Sequence, residues 1–408
     1  MATTDAEAPA MNFRVYLANE GEAAEQQEMP LDAFNAPCER RDKILASLVR
    51  SQDRGEFSGE AITRLMQPPK RAREDDPATD VTVQRVGKAA SLDLAKSVHD
   101  PLLVDFLSTA WERWDAQAPR DPDFFGKHAP SHAASATPPL VPGNYHNRDA
   151  CQMAGTSVAS QCAMYATDRC APIFAGLTPA LLSDMGVLRA ALSDMKGGEC
   201  AASYALITHP GHHASLRSYG GYCYINSAAI AAKTLLSELS LQKVGVIDVD
   251  YHAGNGTIGI FWEDPSVFVC SIHADPDIDY PYTCGFAAQI GGGAGEGSTL
   301  CIPLPSQASW ESHYKDAIRK AVAGVVAYGC EALVVSLGVD GLKGDPVAVP
   351  GAGFEIETAD FSRIGAELRK ANLPTIFVQE GGYDLDKVGD AVSNLLRGFC
   401  NPATAWPS

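Results

Sequence analysis

Lys243-Val244-Gly245-Val246-Ile247-Asp248-Val249-Asp250-Tyr251-His252-Ala253-Gly254-Asn255-Gly256 decides the fold and most of the chemistry. Lys243 to Ile247 is a short β-branched apolar run, the composition of a strand buried on both faces of a parallel sheet. It leads straight into two carboxylates, an imidazole and a glycine-containing turn. A buried carboxylate without a partner is costly, so two acids here point to a bound cation or a catalytic task. Asp250 and His252 are two apart and in extended chain point to one side, where Asp248 joins them. An oxygen–nitrogen pair of this kind is half of a metal site. An acidic turn with ordinary capping residues is the plainer alternative.

Working outward, strands are expected at 204–208, 267–272, 332–337 and 375–378, and helices at 181–195, 227–239, 311–328, 358–371 and 386–398. Upstream, 13–17 reads as a first strand and 39–49 and 104–114 as helices. Residues 1–11 read as disordered, 115–150 and 274–299 as loops. Strands alternating with helices imply right-handed βαβ units. The expected fold is α/β: a single-domain open doubly wound parallel sheet with helices on both faces, spanning 12–402.

The totals fit a soluble globular chain: 408 residues, 46% hydrophobic and 20% charged. No apolar run reaches the roughly 18 residues of a membrane span. The N-terminus lacks the basic start and apolar core of a secretory signal. Eleven cysteines without CxxC spacing suggest reduced thiols and a cytoplasmic setting. Lys70, Arg71 and Arg73 could form a nuclear-import signal or a solvated loop. A net charge of −18 disfavours direct nucleic-acid binding and favours cationic ligands, although acidity also simply aids solubility.

Each expected strand ends in polar, mostly glycine-containing sequence: His209-Pro210-Gly211-His212-His213-Ala214, the opening stretch, His273-Ala274-Asp275-Pro276, Gly338-Val339-Asp340-Gly341, and Gln379-Glu380-Gly381-Gly382-Tyr383. In an open parallel sheet the carboxyl ends share one edge, where ligands bind. Asp250, His252 and Asp340 supply three ligands and leave a position open, the pattern of catalytic rather than structural zinc. His212 and His213 are candidate bases for water. Asp248 and Asn255 suit the task of fixing their tautomers. Tyr383 can donate its hydroxyl to a developing oxyanion. Together these parts amount to metal-assisted hydrolysis of an amide or ester. No serine or cysteine has a nucleophile-elbow context.

His-Pro-Gly-His-His-Ala, Asp-Val-Asp-Tyr-His-Ala-Gly-Asn-Gly-Thr, Ser-Leu-Gly-Val-Asp and Glu-Gly-Gly-Tyr resemble the arginase/deacetylase superfamily, in its histone-deacetylase branch. Within that branch the chain looks most like acetylpolyamine amidohydrolases. Val98-His99-Asp100, Trp111-Glu112-Arg113-Trp114 and Gly220-Gly221-Tyr222-Cys223-Tyr224-Ile225-Asn226 support the resemblance, which covers about residues 13–400. It implies zinc (or ferrous iron) on Asp250, His252 and Asp340. His212 and His213 become a tandem base/acid pair, with His213 the donor to the leaving amine. Tyr383 polarises the acetyl carbonyl, and the Gly221 carbonyl accepts the scissile N–H. It also implies a structural potassium near Asp248, Asp250, His252, Ser271 and the Ile272 carbonyl, and a tunnel walled by Tyr222 and Tyr280.

The substrate so implied is a small cationic acetylated amine, with a protein lysine deacetylase as the alternative. The chain departs from the family pattern at Ala253, where many relatives carry a second histidine. Val347 stands where some carry a larger or acidic gatekeeper. Glu28, Asp277 or Asp279 could supply the missing acid. Residues 144–172 match the family poorly. Residues 17–35 could form a homodimer contact narrowing the entrance, as they do in relatives.

Overall fold

The computed structural model describes residues 13–18, 37–53, 81–117, 137, 139–141, 155–196 and 201–401. The N-terminal residues 1–11, the Glu20–Asp32 loop with Glu28, the Lys70–Arg73 cluster and most of 115–150 lie outside them.

Eight strands form one parallel sheet among the described residues: β1 (Phe13–Ala18), β2 (Val81–Val86), β3 (Ala202–Ala205), β4 (Val244–Asp248), β5 (Val267–Ala274), β6 (Thr299–Leu304), β7 (Ala332–Leu337) and β8 (Thr375–Gln379). Their order across the sheet is β2-β1-β3-β8-β7-β4-β5-β6. Helices α1 (Pro37–Asp53), α2 (Pro101–Gln117), α3 (Val158–Tyr165), α4 (Leu177–Lys196), α5 (Ser227–Glu238), α6 (Asn255–Ile260), α7 (Lys315–Tyr328), α8 (Asp360–Arg369) and α9 (Val388–Cys400) cover it.

The period of two along each strand sorts its side chains between two cores. Ile247 of β4, Leu333, Val335 and Leu337 of β7 and Phe377 of β8 face one core, which α1, α7, α8 and α9 close. Val244 and Val246, Val334, and Ile376 and Val378 face the other, closed by α2, α3, α4 and α5. This is the doubly wound sheet expected from the alternation. The eight cysteines whose side chains are described are all free. No described helix is long and apolar enough to cross a membrane.

Three departures have physical causes. The strand expected at 204–208 runs instead from 202 to 205. Beyond it the Thr208 and His209 N–H groups bond to the buried Asp184 carboxylate (2.7 and 3.2 Å), so the chain leaves the ladder. β6 begins where the expected 274–299 loop ends, in a stretch for which no element was expected, and contains Pro303; a proline without its N–H is tolerated because β6 is an edge. The other edge, β2, carries Thr82, Gln84 and Arg85 between its valines and lacks the continuous apolar run of an inner strand.

Candidate active site

The five strands with polar ends, β3, β8, β7, β4 and β5, are consecutive across the sheet. Their carboxyl ends therefore deliver every candidate ligand and base to one stretch of one edge.

Asp250, His252 and Asp340 are all buried, and one ligand atom of each lies within 4.8 Å of the others. Asp250 accepts the His252 N–H (3.0 Å) at Oδ1 and the Gly381 N–H (2.9 Å) at Oδ2. Asp340 accepts the Tyr251 N–H at Oδ1 (2.8 Å). β4 ends at Asp248, so extended chain alone does not align the set. Carboxylates also bond to N–H groups two residues on, Asp248 to Asp250 (3.1 Å) and Asp250 to His252. Two glycines make the close approach feasible. A Cβ at Gly338 would lie 2.1 Å from Asp250 Oδ2, and one at Gly381 2.7 Å from oxygens of both aspartates.

These residues fit a divalent cation. Burial and Asp250 push the Asp340 carboxyl up to about 6. Burial opposes protonation of His252, but its bonds to Asp250 and Asp340 carry it up to about 10. Its Nδ1 lies 3.4 Å from Asp250 and 3.2 Å from Asp340, so an imidazole nitrogen and two buried carboxylates converge where positive charge is favoured. A second group, His212, Cys223 and Glu380, also converges. Glu380, however, already accepts the Gly211 and His212 N–H groups (2.6 and 3.1 Å) and the Ser336 hydroxyl (3.2 Å). It serves to anchor the tandem-histidine loop.

The two histidines have opposite surroundings. His212 Nδ1 lies 2.9 Å from Asp248 Oδ2 and its Nε2 3.5 Å from Asp250. Burial disfavours its charge, yet Asp250 and Asp248 hold it well above the ordinary range. His213 Nδ1 meets Asn255 Oδ1 at 2.7 Å. Burial, then His212 and His252, push His213 well below the ordinary range. Environments that drive a titratable pair apart mark different roles in acid–base chemistry.

Tyr222 and Tyr280, expected as tunnel walls, lie next to Tyr383 and His213. Gly221 and Tyr222 are the central residues of a two-residue turn closed by Gly220 and Cys223 (3.0 and 2.9 Å). Their φ values are +55° and +66°, the signature of a type I′ turn. Gly221 is required twice, since a Cβ would also lie 2.5 Å from His213 Cδ2. The Tyr222 ring is 5.7 Å from that of Tyr383, and Tyr280 sits edge-on to His213 at 4.8 Å.

Asp248 and Ser271 are register partners across β4 and β5. Ser271 Oγ lies 2.8 Å from His273 Nδ1, and Ile272 is buried beside it. Ala253 is fully buried, and a Cβ built on Gly285 would come within 2.8 Å of the Ala253 Cβ and 2.6 Å of His273 Nε2. Val347 is half-buried, its N–H on Asp345 Oδ1 (3.1 Å). Asp279 does not offer the acid proposed for it. It is buried, with its oxygens accepting the Tyr280 and Val349 N–H groups. Asp277 is exposed.

Two residues were missed by the sequence reading. Arg40 of α1 is buried, donates to Thr208 O (2.9 Å) and lies 5.5 Å from the Tyr383 ring centroid. Its signal was readable: Arg40, Ile44 and Leu48 follow one i, i+4 stripe, so a charge occupies an inward-facing position. Asp168 accepts the Gly221 N–H (2.8 Å) and the Tyr280 hydroxyl (3.0 Å). Its partners lie far along the chain, and no pattern announced it.

An eight-stranded parallel α/β sheet with an Asp–His–Asp set at its carboxyl edge defines a hydrolase of the arginase/deacetylase fold. The histone deacetylase domain model matches residues 60–399. Acetylpolyamine amidohydrolase 1 of Pseudomonas aeruginosa is 35% identical over 333 residues, 80% of this chain and 90% of its own. Acetylpolyamine amidohydrolase of Mycoplana ramosa is 34% identical over 307 residues, 75% of this chain and 83% of its own. The crystal structure of acetylpolyamine aminohydrolase from Burkholderia pseudomallei gives a TM-score of 0.74 at 25% identity, covering 95% of this chain and 98% of that one. The chain belongs to the histone deacetylase domain family.

Proposed function

We propose that the protein hydrolyses the acetyl-amide bond of small acetylated amines, acetylpolyamines in particular. What carries this reading is the convergence of Asp250, His252 and Asp340 beside a histidine pair of opposed surroundings, in a chain whose relatives bear the name acetylpolyamine amidohydrolase. Zinc, or ferrous iron, held by these three residues would act as a Lewis acid toward the amide carbonyl and water. His213, neutral and donating Nδ1–H to Asn255, has Nε2 free to take a proton from water and return it to the leaving amine. His212 stays protonated against Asp248 and balances the developing negative charge. The Tyr383 hydroxyl donates to the oxyanion, and the Gly221 carbonyl orients the scissile N–H. Asp248, Ser271 and the Ile272 carbonyl are the proposed potassium site. Tyr222 and Tyr280 can grip an alkyl chain and attract an ammonium through their ring faces.

The test is acetate release by the zinc-loaded protein from N-acetylputrescine set against an acetyl-lysine peptide. We expect a higher kcat/KM on N-acetylputrescine and no turnover after full metal depletion. Faster turnover of the peptide would make the protein a lysine deacetylase instead, and activity without metal would refute the site.

A further inference from the structure

Three carboxylates that take no part in the chemistry above join the loops around Tyr222, Tyr280 and Tyr383. Asp168 Oδ2 accepts the Gly221 N–H (2.8 Å) and the Tyr280 hydroxyl (3.0 Å), tying the turn before α5 to the loop after β5. Asp279 accepts the Tyr280 N–H (2.7 Å) and the Val349 N–H (2.9 Å), tying that loop to the one after β7. Asp345 accepts the Val347 N–H (3.1 Å) and the Tyr383 N–H (2.7 Å), tying it in turn to the loop after β8. The Tyr383 ring, 5.7 Å from Tyr222, returns to the first turn and closes the circuit. Each of these carboxyl groups bridges groups from separate segments, so the four loops are linked by side-chain bonds in addition to their backbone contacts.

The turn needs such support. Tyr222 at φ +66° is in a region that a bulky side chain occupies only where its surroundings over-determine it. The Gly220–Cys223 bonds hold the turn from within, and Asp168 holds its Gly221 N–H from outside.

We propose that Asp168, Asp279 and Asp345 are positioning residues forming a rigid collar around the substrate channel, with Asp168 holding the Gly221 carbonyl and the Tyr280 ring in place beside His213. This inference rests on the deacetylase reading above. A collar of loop-to-loop bonds selects by width: slender linear acylated amines pass, and branched ones are resisted whatever their charge.

The zinc-loaded wild type, D168A, D168N, Y280F and the D168A/Y280F double variant are compared on N-acetylputrescine and on uncharged N-pentylacetamide, which has the same reach. D168A should raise KM about 10- to 100-fold on both substrates, with kcat changing less. D168N, whose side-chain carbonyl can accept both bonds, should recover most of the loss. The double variant should fall no further than D168A, because Y280F removes a donor to the same carboxylate. Deuterium exchange of the 219–224 segment should rise in D168A and return toward wild type in D168N. A loss confined to the cationic substrate would make Asp168 a charge contact and overturn the collar, as would additive losses or unchanged exchange. Should D168A not fold, Y280F decides, and an unchanged KM there overturns the proposal. A wild type inactive on both substrates would overturn the deacetylase reading alone, and the exchange measurement would then decide the collar by itself.

Discussion

His212 and His213 are adjacent in sequence, with ring centroids 3.9 Å apart, yet their surroundings push their basicities in opposite directions. Asp250 and Asp248 favour the cation of His212, whereas burial and the neighbouring imidazoles disfavour that of His213, whose partner is the neutral amide Asn255; in the proposed mechanism this leaves His213 to cycle a proton. We therefore predict that H213A lowers kcat by about 10²–10⁴ and Y383F by about 10²–10³. Bound zinc, measured by elemental analysis, should be unchanged in both, because neither residue belongs to the Asp250–His252–Asp340 set. Near-normal rates in either variant would refute the assigned roles. At this scale the sequence was legible wherever residue types with few innocent uses fell together, as in His212-His213 or Asp250-Tyr251-His252. It was silent where one carboxylate served distant backbone, as with Asp168. Asp279 was misread because an acid near a tunnel looks like a cation site until its two oxygens are seen to hold N–H groups.

Elements were legible in proportion to their burial. The central strands β4, β7 and β8 are mostly apolar and were found, whereas β3, only four residues long, was placed two to three residues too far along. The edges β2 and β6 are interrupted by polar residues or proline and were not found. The strand ends depend on backbone that no side chain can crowd, and G381A tests this. Its Cβ would lie 2.7 Å from oxygens of Asp250 and Asp340, so zinc affinity should fall at least about tenfold by competition with a chelator; unchanged affinity would show that the strand end adjusts.

The start of α5 is anchored differently. His99 Nδ1–H donates to Ser215 O (2.8 Å), and its Nε2 accepts the Asn226 N–H (2.9 Å). Asn226 caps α5 and bonds to Ala214 O (3.1 Å), next to His213. Burial pushes His99 down to about 4. Above its ordinary value near 6.5 the residue is neutral folded or unfolded. As pH falls from there toward 4, the unfolded chain takes up a proton that the fold refuses, and stability is lost, by about 2 kcal/mol at pH 5. H99Q, which can still donate and accept, should remove that share of the pH dependence in denaturant titrations at pH 7 and 5. An unchanged difference between the two pH values would show that His99 is not the group responsible.

Which strands lie side by side is set by the whole molecule, and no local pattern contains it: β4 settles between β7 and β5, and β8 beside β3. The site was nevertheless predictable, because a parallel sheet sends all its carboxyl ends to one edge whatever their order. Charge is also a property of this scale. At −18 the chain carries a net negative charge whose summed field favours the approach of cations. The collar carboxylates are engaged with backbone, so the attraction comes from the summed field more than from one contact. Such a field is screened by salt, its reach falling from roughly 30 Å at about 10 mM to roughly 8 Å at about 150 mM. Over that range KM for N-acetylputrescine should rise about 3- to 10-fold with kcat nearly constant, while N-pentylacetamide should show no such trend. Salt acting equally on both substrates would mean that the charge serves solubility alone. A salt effect on kcat for both would place the ions at the catalytic groups, since only an effect on encounter with the cation leaves the chemical step untouched.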